Sequence, residues 1–257
     1  MAENTQTSPQ FSAVVPVRNE AANIAPLIAE IRAAMAEHGV YEIVYVDDGS
    51  NDGTAKILKE QSGACPELRI IRHAEACGQS AAIMTGVAKA KAPVIITIDG
   101  DGQNDPADIP KLLAAYTADR DQDRLLVAGQ RTRRQDTWLK RVSSKIANAV
   151  RGALLGDGTP DTGCGLKVFS RSAFLAMPGF DHMHRFLPAL MIRHGGRVLS
   201  VPVNHRPRQQ GETKYGLFDR LGVGIVDLFG VMWLKRRAPR PEIESDTEDS
   251  YEKEGGA

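Results

Sequence analysis

Short apolar runs alternate along the first half of the chain with longer segments in which apolar residues return at helical spacing. The apolar runs are typical of buried strands and lie at 11–17, 41–46, 68–72, 93–99 and 124–129. The helical spacing is clearest after the first run, at Ile24, Leu27, Ile28, Ile31 and Met35. Because strands that alternate with helices form βαβ units, we predict an α/β fold with a mainly parallel central sheet flanked by helices.

The alternation changes after residue 130. A basic amphipathic helix is predicted over 137–156, and two further strands are predicted over 165–169 and 197–203. From 217 to 237 apolar residues cover much of a helix that ends in Trp233 and a basic cluster. This pattern favours an interfacial helix that lies in the headgroup region of a membrane. A buried core helix and an interface with another subunit are the alternatives.

Polar motifs follow three of the predicted strands at the points where the strands end. They read PVRNE, DDGS and DGDGQ, and they begin at residues 16, 47 and 99. In an open parallel sheet the carboxyl ends of the strands meet at one edge, where ligands bind. The sequence therefore predicts that these three motifs converge on one site.

The formal net charge of zero hides an asymmetry. The last sixteen residues hold seven acidic side chains and one lysine, so the rest of the chain carries a charge of +6. A basic body favours anionic partners, whereas the acidic 238–257 segment and the polar 1–10 segment are predicted to be flexible. The three cysteines show no paired or metal-binding spacing, which favours a reducing, cytoplasmic location. The basic residues lack a nearby aromatic stacking platform, so nucleic acid is not an expected partner.

The DGDGQ motif places two carboxylates one residue apart, with glycine between them. Carboxylate oxygens are suited to Mg²⁺, Mn²⁺ or Ca²⁺. A calcium loop is excluded because Asn104 stands where glycine is required and Pro110 where the bidentate glutamate belongs. The remaining interpretations are a solvated turn, or a site where Mg²⁺ or Mn²⁺ bridges Asp99 and Asp101 to a diphosphate.

Six motifs together resemble one family. VVPVRNEAANI, YVDDGSNDGT, IDGDGQNDP, VAGQR, DTGCGLKVF and RQQGETKYG occur in the order and spacing of the family-2 inverting glycosyltransferases. The likeness covers roughly residues 11–216 and is greatest to the polyprenyl-phosphate subgroup, which resembles dolichyl-phosphate mannose synthase. It implies a GT-A-type nucleotide-diphospho-sugar transferase fold, metal dependence and transfer of a sugar to a polyprenyl phosphate.

The resemblance also implies roles for individual residues. Catalytic roles would fall to Asp99, Asp101 and Asp161, the last as the best candidate if a catalytic carboxylate exists. Asp99, Asp101 and Gln103 would hold the metal. The nucleotide sugar would be bound by Pro16, Arg18, Glu20, Val46, Asp48, Asp99, Gly100, Asp101, Arg131, Arg208 and Lys214.

The acceptor phosphate is predicted to meet Arg131, Lys140 and Ser144, of which the last two lie four residues apart on one helix face. A phosphate monoester with a second pKa of about 6 is already a nucleophile at neutral pH, so a strong general base is less necessary. The expected location is the cytoplasmic membrane face, reached by peripheral docking or through an anchoring partner. The alternatives are a glycosyltransferase acting on a sugar hydroxyl, a sugar-1-phosphate nucleotidyltransferase and a non-catalytic binding protein.

Overall fold

The computed structural model describes residues 8–132, 151–152, 154–207 and 217–237, and for 217–223 it describes the backbone only. The strands are β1 (Phe11–Val17), β2 (Tyr41–Asp47), β3 (Leu68–Arg72), β4 (Val94–Thr97), β5 (Leu125–Arg131), β6 (Lys167–Ser170) and β7 (Arg197–Val203). The helices are α1 (Ala21–Met35), α2 (Thr54–Ser62), α3 (Gln79–Lys89), α4 (Ile109–Thr117), α5 (Arg171–Leu175), α6 (Leu187–Arg193) and α7 (Leu217–Arg236). Short 3-10 turns occur at Pro106–Asp108, Gln122–Arg124 and Met183–Arg185.

The described strands form one seven-stranded sheet in the order β3-β2-β1-β4-β6-β5-β7. β1 pairs in parallel with β2 and β4, and the pairs β2–β3 and β5–β7 are also parallel. The prediction of a mainly parallel sheet is therefore confirmed. β6 runs antiparallel to both of its neighbours, β4 and β5. Because Lys167 pairs with Thr97 at the end of β4, the turn before β6 lies at the carboxyl edge of the parallel strands.

Helices cover both faces of the sheet and bury a separate apolar cluster on each. The cluster on one face includes the five periodic residues of α1, all of which are buried as predicted. The cluster on the other face joins α3 and α6 to the sheet and reaches α7 through Val231. Full burial of one such side chain contributes roughly 1.5–3 kcal/mol to folding, so these clusters hold the strand ends in place.

β4 ends at Thr97, two residues before the predicted end of this strand. Asp99 consequently lies on the loop that follows the sheet. Most of the basic helix predicted over 137–156 falls outside the described residues, since 133–150 and 153 are not among them.

The helix α7 has one face against the domain and another face in solvent. Val231 is buried, whereas the other face exposes Ile225, Val226, Phe229 and Trp233, with exposed fractions between 48% and 70%. The guanidinium of Arg237 lies 5.9 Å from the centroid of the Trp233 ring. Among the described helices, none has the length and apolarity that crossing a bilayer requires.

Candidate active site

The loops after β1, β2 and β4 are joined at the carboxyl edge of the sheet. The backbone N–H of Asp48 donates to the carbonyl of Val17 at 2.8 Å, and the backbone N–H of Asn19 donates to Ser50 Oγ at 2.9 Å. The backbone N–H of Ile98 donates to the carbonyl of Val14 at 3.2 Å, so hydrogen bonding to β1 continues one residue past the end of β4. The three polar motifs therefore occupy one edge, as the strand pattern predicts.

Asp99 is partly buried at the centre of this edge. Its Oδ1 accepts a hydrogen bond of 2.8 Å from Gln79 Nε2, and its backbone N–H donates to Asn104 Oδ1 at 3.3 Å. A β-carbon added to Gly165 would lie 2.2 Å from the Asp99 carboxylate, so only glycine fits opposite it. Burial, and then the negative charge of Asp101, raise the pKa of Asp99 to about 6.

The loop from Gly100 to Gln103 turns back on itself beside Asp99. A β-carbon on Gly100 would lie 2.2 Å from Val17 Cγ1, which shows how closely this loop packs on β1. Asp101 Oδ1 accepts from the backbone N–H of Gln103 at 3.1 Å, and the carbonyl of Gln103 accepts from the backbone N–H of Arg206 at 2.9 Å. The loop is thus held from both sides.

The donor set of this loop suits a hard divalent cation. Asp99 and Asp101 offer carboxylate oxygens, and Gln103 offers an amide oxygen two residues further along, all of which are ligand types that Mg²⁺ and Mn²⁺ accept. The raised pKa of Asp99 has its physical cause in burial and carboxylate repulsion, both of which a bound cation would offset. The residues present therefore fit a divalent metal.

Arg131 and Asp161 form a two-pronged ion pair next to this loop. Arg131 Nε donates to Asp161 Oδ2 and Arg131 Nη2 donates to Asp161 Oδ1, both at 2.7 Å. The backbone N–H of Arg131 adds a third contact to Oδ2 at 3.2 Å. The two side chains are only 13% and 8% exposed. The structure thus joins two residues that the sequence assigned to phosphate binding and to catalysis separately.

Lys167 is a buried cation that sequence reasoning did not assign. Its ammonium donates to the carbonyl of Cys164 in the turn before β6. Burial lowers the pKa of Lys167, while Asp99 and Asp161 are among the acidic groups that oppose this effect. Cys164 itself is fully buried, and burial raises the pKa of its thiol.

The carboxylate of Asp48 is buried and already accepts three hydrogen bonds. Its Oδ1 faces His73 Nδ1 and the backbone N–H of Cys77, and its Oδ2 faces the backbone N–H of Gly78, each at 2.8 Å. His73 Nε2 lies 2.9 Å from Thr85 Oγ1 on α3. Asp48 therefore organises the loop after β3, and the contact with a nucleotide base that the resemblance implies stays a prediction.

The remaining residues predicted to bind the nucleotide lie at the ends of β1 and β2. Val46 is fully buried within β2 and packs towards Gly86 of α3, and its contact with the base or ribose stays a prediction. Pro16 pairs with Val46 in the sheet, and its carbonyl lies against Gly100. Arg18 is exposed at the end of β1, and Glu20 Oε2 accepts from Asn23 Nδ2 at 2.7 Å.

Four predicted site residues lie outside the described residues: Lys140, Ser144, Arg208 and Lys214. Their assignments to the acceptor phosphate and the donor diphosphate stay predictions. His184, in the segment before α6, is half-buried in the structure. Its Nδ1 lies 2.7 Å from Ser80 Oγ, and burial lowers its pKa to about 3.

Comparison with protein-family models matches residues 12–176 to glycosyl transferase family 2. A dodecaprenyl-phosphate galacturonate synthase of Rhizobium johnstonii is 34% identical over 90% of this chain and 69% of its own length. An undecaprenyl-phosphate 4-deoxy-4-formamido-L-arabinose transferase of Edwardsiella ictaluri is 37% identical over 80% of this chain and 63% of its own length. The matched part of the chain thus spans about two thirds of these curated relatives.

Solved structures support the fold. A mannosyltransferase from Pyrobaculum calidifontis in complex with GDP-Man and Mn²⁺ superposes with a TM-score of 0.67 at 21% identity, covering 92% of this chain and 67% of the other. A glucosyl-3-phosphoglycerate synthase from Mycobacterium tuberculosis in complex with Mg²⁺ and UDP superposes with a TM-score of 0.64 at 18% identity, covering 92% and 82%. At these identities the likeness concerns the fold alone.

Proposed function

We propose that the chain, which belongs to glycosyl transferase family 2, transfers a sugar from a nucleoside diphosphate sugar to a polyprenyl phosphate, with inversion at the anomeric carbon. The observation that carries this proposal is an identity of 34–37% with transferases named for polyprenyl-phosphate products or acceptors, over 80–90% of the chain. The carboxylate pair and the Arg131–Asp161 pair at one edge of the sheet supply the chemistry that such a transfer needs.

On the donor side, Asp99 and Asp101, with Gln103 beside them, would hold Mg²⁺ or Mn²⁺. A cation bound there would supply positive charge to the donor diphosphate. The neighbouring solved structures contain GDP-Man with Mn²⁺, or UDP with Mg²⁺. In this chain we assign the nucleotide pocket to the loops that carry Arg18, Glu20 and Asp48.

On the acceptor side, an oxygen of the lipid phosphate attacks the anomeric carbon while the bond from that carbon to the diphosphate oxygen breaks. The nucleoside diphosphate leaves with the bonding electron pair. A phosphate monoester with a second pKa of about 6 is largely dianionic at neutral pH, so no side chain needs to remove a proton from it. The protein has to position two anions and screen their charges.

Arg131 is placed for this task, because a guanidinium carries five N–H donors and Asp161 engages two of its three nitrogens. We assign Arg131 to phosphate binding and Asp161 to holding Arg131 in position. This refines the prediction of a catalytic role for Asp161, since both of its oxygens accept hydrogen bonds from Arg131. Arg208, Lys214, Lys140 and Ser144 keep the phosphate roles that the sequence pattern proposes.

The exposed apolar face of α7 is assigned to the membrane surface that holds the lipid acceptor. Phe229 and Trp233 are 63% and 60% exposed, and Arg236 and Arg237 follow at the end of the helix. An apolar face that ends in an aromatic ring and basic side chains suits the headgroup region of an anionic bilayer. We propose peripheral docking at the cytoplasmic membrane face.

The test is a panel of nucleotide sugars, namely GDP-mannose, UDP-glucose, a UDP-N-acetylhexosamine and a UDP-uronic acid, with a short polyprenyl phosphate and Mg²⁺ or Mn²⁺. Release of nucleoside diphosphate should require the lipid phosphate. Release that proceeds equally well without the lipid would overturn the acceptor assignment. Asp101→Ala should lower turnover by at least about 10²-fold, because charge stabilisation of the leaving group is lost. The control is Asp121→Ala, which changes an exposed aspartate before β5 and should leave turnover unchanged.

A further inference from the structure

Three consecutive residues at the start of α3 contact three different parts of the candidate active site. The backbone N–H of Gly78 donates to Asp48 Oδ2 at 2.8 Å, and Gln79 Nε2 donates to Asp99 Oδ1 at 2.8 Å. Ser80 Oγ lies 2.7 Å from His184 Nδ1. The start of α3 therefore joins the loop after β2, the carboxylate loop after β4 and the segment before α6.

The backbone that carries Gln79 is held firmly. Gly78 has a φ of 92°, which glycine adopts at low cost, and its carbonyl accepts the first helical hydrogen bond of α3 from Ala82. Ser80 is 1% exposed. Further along the helix, a β-carbon on Gly86 would lie 2.4 Å from Val14 Cγ1, so α3 packs directly on β1. The helix cannot slide along the sheet without breaking these contacts.

Gln79 makes a direct contact with the carboxylate of Asp99. Among the described residues, Gln79 provides the one side-chain hydrogen bond to the Asp99 carboxylate. The other constraint on this carboxylate is steric, since it packs against the backbone of Gly165. An amide that donates to Oδ1 fixes the rotation of the carboxyl group. It thereby also fixes the direction in which Oδ2 can coordinate a metal ion.

We propose that Gln79 is a positioning residue that orients Asp99 for the divalent cation of the donor site. This inference rests on the proposed function only through the metal role of Asp99. Outer hydrogen-bond partners of metal ligands fix ligand orientation, and their loss typically costs about 10–100-fold in metal affinity. Gln79 reaches Asp99 from a separate helix across a separation of 20 positions, so the contact depends on the packing of α3.

The test measures Mn²⁺ binding directly by electron paramagnetic resonance, on the metal-free full chain without nucleotide. Gln79→Met keeps the length of the side chain and removes the amide donor. We expect its Kd for Mn²⁺ to rise by about tenfold or more. The matched control is Gln61→Met, near the far end of α2, which should bind Mn²⁺ like the wild type. Circular dichroism and thermal midpoints of both variants check that the fold is kept.

A Gln79→Met variant that is folded and binds Mn²⁺ as tightly as the wild type would overturn the inference. A wild-type chain that binds no Mn²⁺ would overturn it together with the metal role of Asp99. The acceptor assignment has a separate test: it fails if nucleoside diphosphate is released equally well without the lipid. That result does not affect the Mn²⁺ titration. As a second readout, the Mn²⁺ concentration for half-maximal turnover should rise in Gln79→Met in proportion to the Kd.

Discussion

Replacing Asp161 with Asn should reduce both stability and turnover, because Asp161 holds the guanidinium of Arg131 through two hydrogen bonds of 2.7 Å. The two side chains are 13% and 8% exposed, so most of the pair is shielded from water. Breaking such a pair leaves an uncompensated buried charge. For this partly shielded pair we expect a loss of about 3 kcal/mol in the free energy of unfolding, at the lower end of the range for buried pairs.

A double-mutant cycle separates the interaction energy of the Arg131–Asp161 pair from the effects of the two single substitutions. Urea unfolding of Asp161→Asn, Arg131→Met and the combined variant should give a coupling of about 2 kcal/mol, with the double variant more stable than the sum of the single changes predicts. The comparison pair is Arg197–Asp119 at the opposite edge of the sheet, which is also two-pronged but has side chains that are 53% and 17% exposed. Asp119→Asn should cost less stability and leave turnover unchanged, because solvent screens this pair.

Turnover gives the second half of the test. Arg131→Met should lower kcat by about 10²-fold, as the loss of one charge-stabilising donor does. Asp161→Asn should lower kcat less, because the guanidinium is still present although no longer oriented. Strictly additive unfolding energies, or an Asp161→Asn enzyme with wild-type kcat, would refute the assignment of Asp161 as the residue that positions Arg131.

Three further predictions concern groups outside this pair. His184 has a pKa lowered from 6.5 to about 3, so the unfolded chain binds its proton first and stability should fall as the pH falls below 6.5. The free energy of unfolding should change by at most about 1.4 kcal/mol per pH unit through this group. In His184→Gln the urea midpoint should depend less steeply on pH between about pH 4 and 6. The same pH dependence in the variant and the wild type would contradict the burial of this imidazole. Lys167→Met removes a buried cation and leaves the carbonyl of Cys164 without its donor, so stability should fall by about 1–3 kcal/mol. We expect kcat to fall as well, because Asp99 loses a nearby positive charge, and Lys167→Arg should keep more activity. Wild-type kcat in the Met variant would show that the cation is dispensable. The double change Phe229→Ser and Trp233→Ser should weaken binding to anionic vesicles about tenfold in a sedimentation assay. The control is Leu175→Ser, which changes another exposed apolar residue and should bind like the wild type. Equal binding by all variants would place the membrane contact elsewhere.

The sequence predicted those features that depend on local pattern. The spacing of Ile24 to Met35 identified the buried face of α1, and the rule for parallel sheets brought the three polar motifs to one edge. The contacts of Gln79 and His73 were missed because each crosses 20 or more positions, to Asp99 and to Asp48, through tertiary packing. No periodicity in the sequence encodes such a pairing.

The direction of β6 also escaped prediction, and it has the largest consequence for the site. An apolar run predicts a strand but not its direction, and only the antiparallel entry of β6 brings Lys167 opposite Thr97. That arrangement places the turn from Asp161 to Gly165 beside the carboxylate loop. A parallel β6 would have carried this turn to the far edge of the sheet, away from Asp99.

The charges at this edge suit the divalent cation that we propose for the donor site. Burial and Asp101 raise the pKa of Asp99 to about 6, and Lys167 and Arg131 oppose that rise only in part. Arg131 is committed to Asp161 by two hydrogen bonds, and the ammonium of Lys167 is directed to the carbonyl of Cys164. These two cations therefore make their short contacts with Asp161 and Cys164 and not with Asp99 or Asp101, so the carboxylate loop keeps an excess of negative charge. A bound divalent ion would offset that excess and attract the donor diphosphate, whereas an additional lysine in the same place would bring only half the charge.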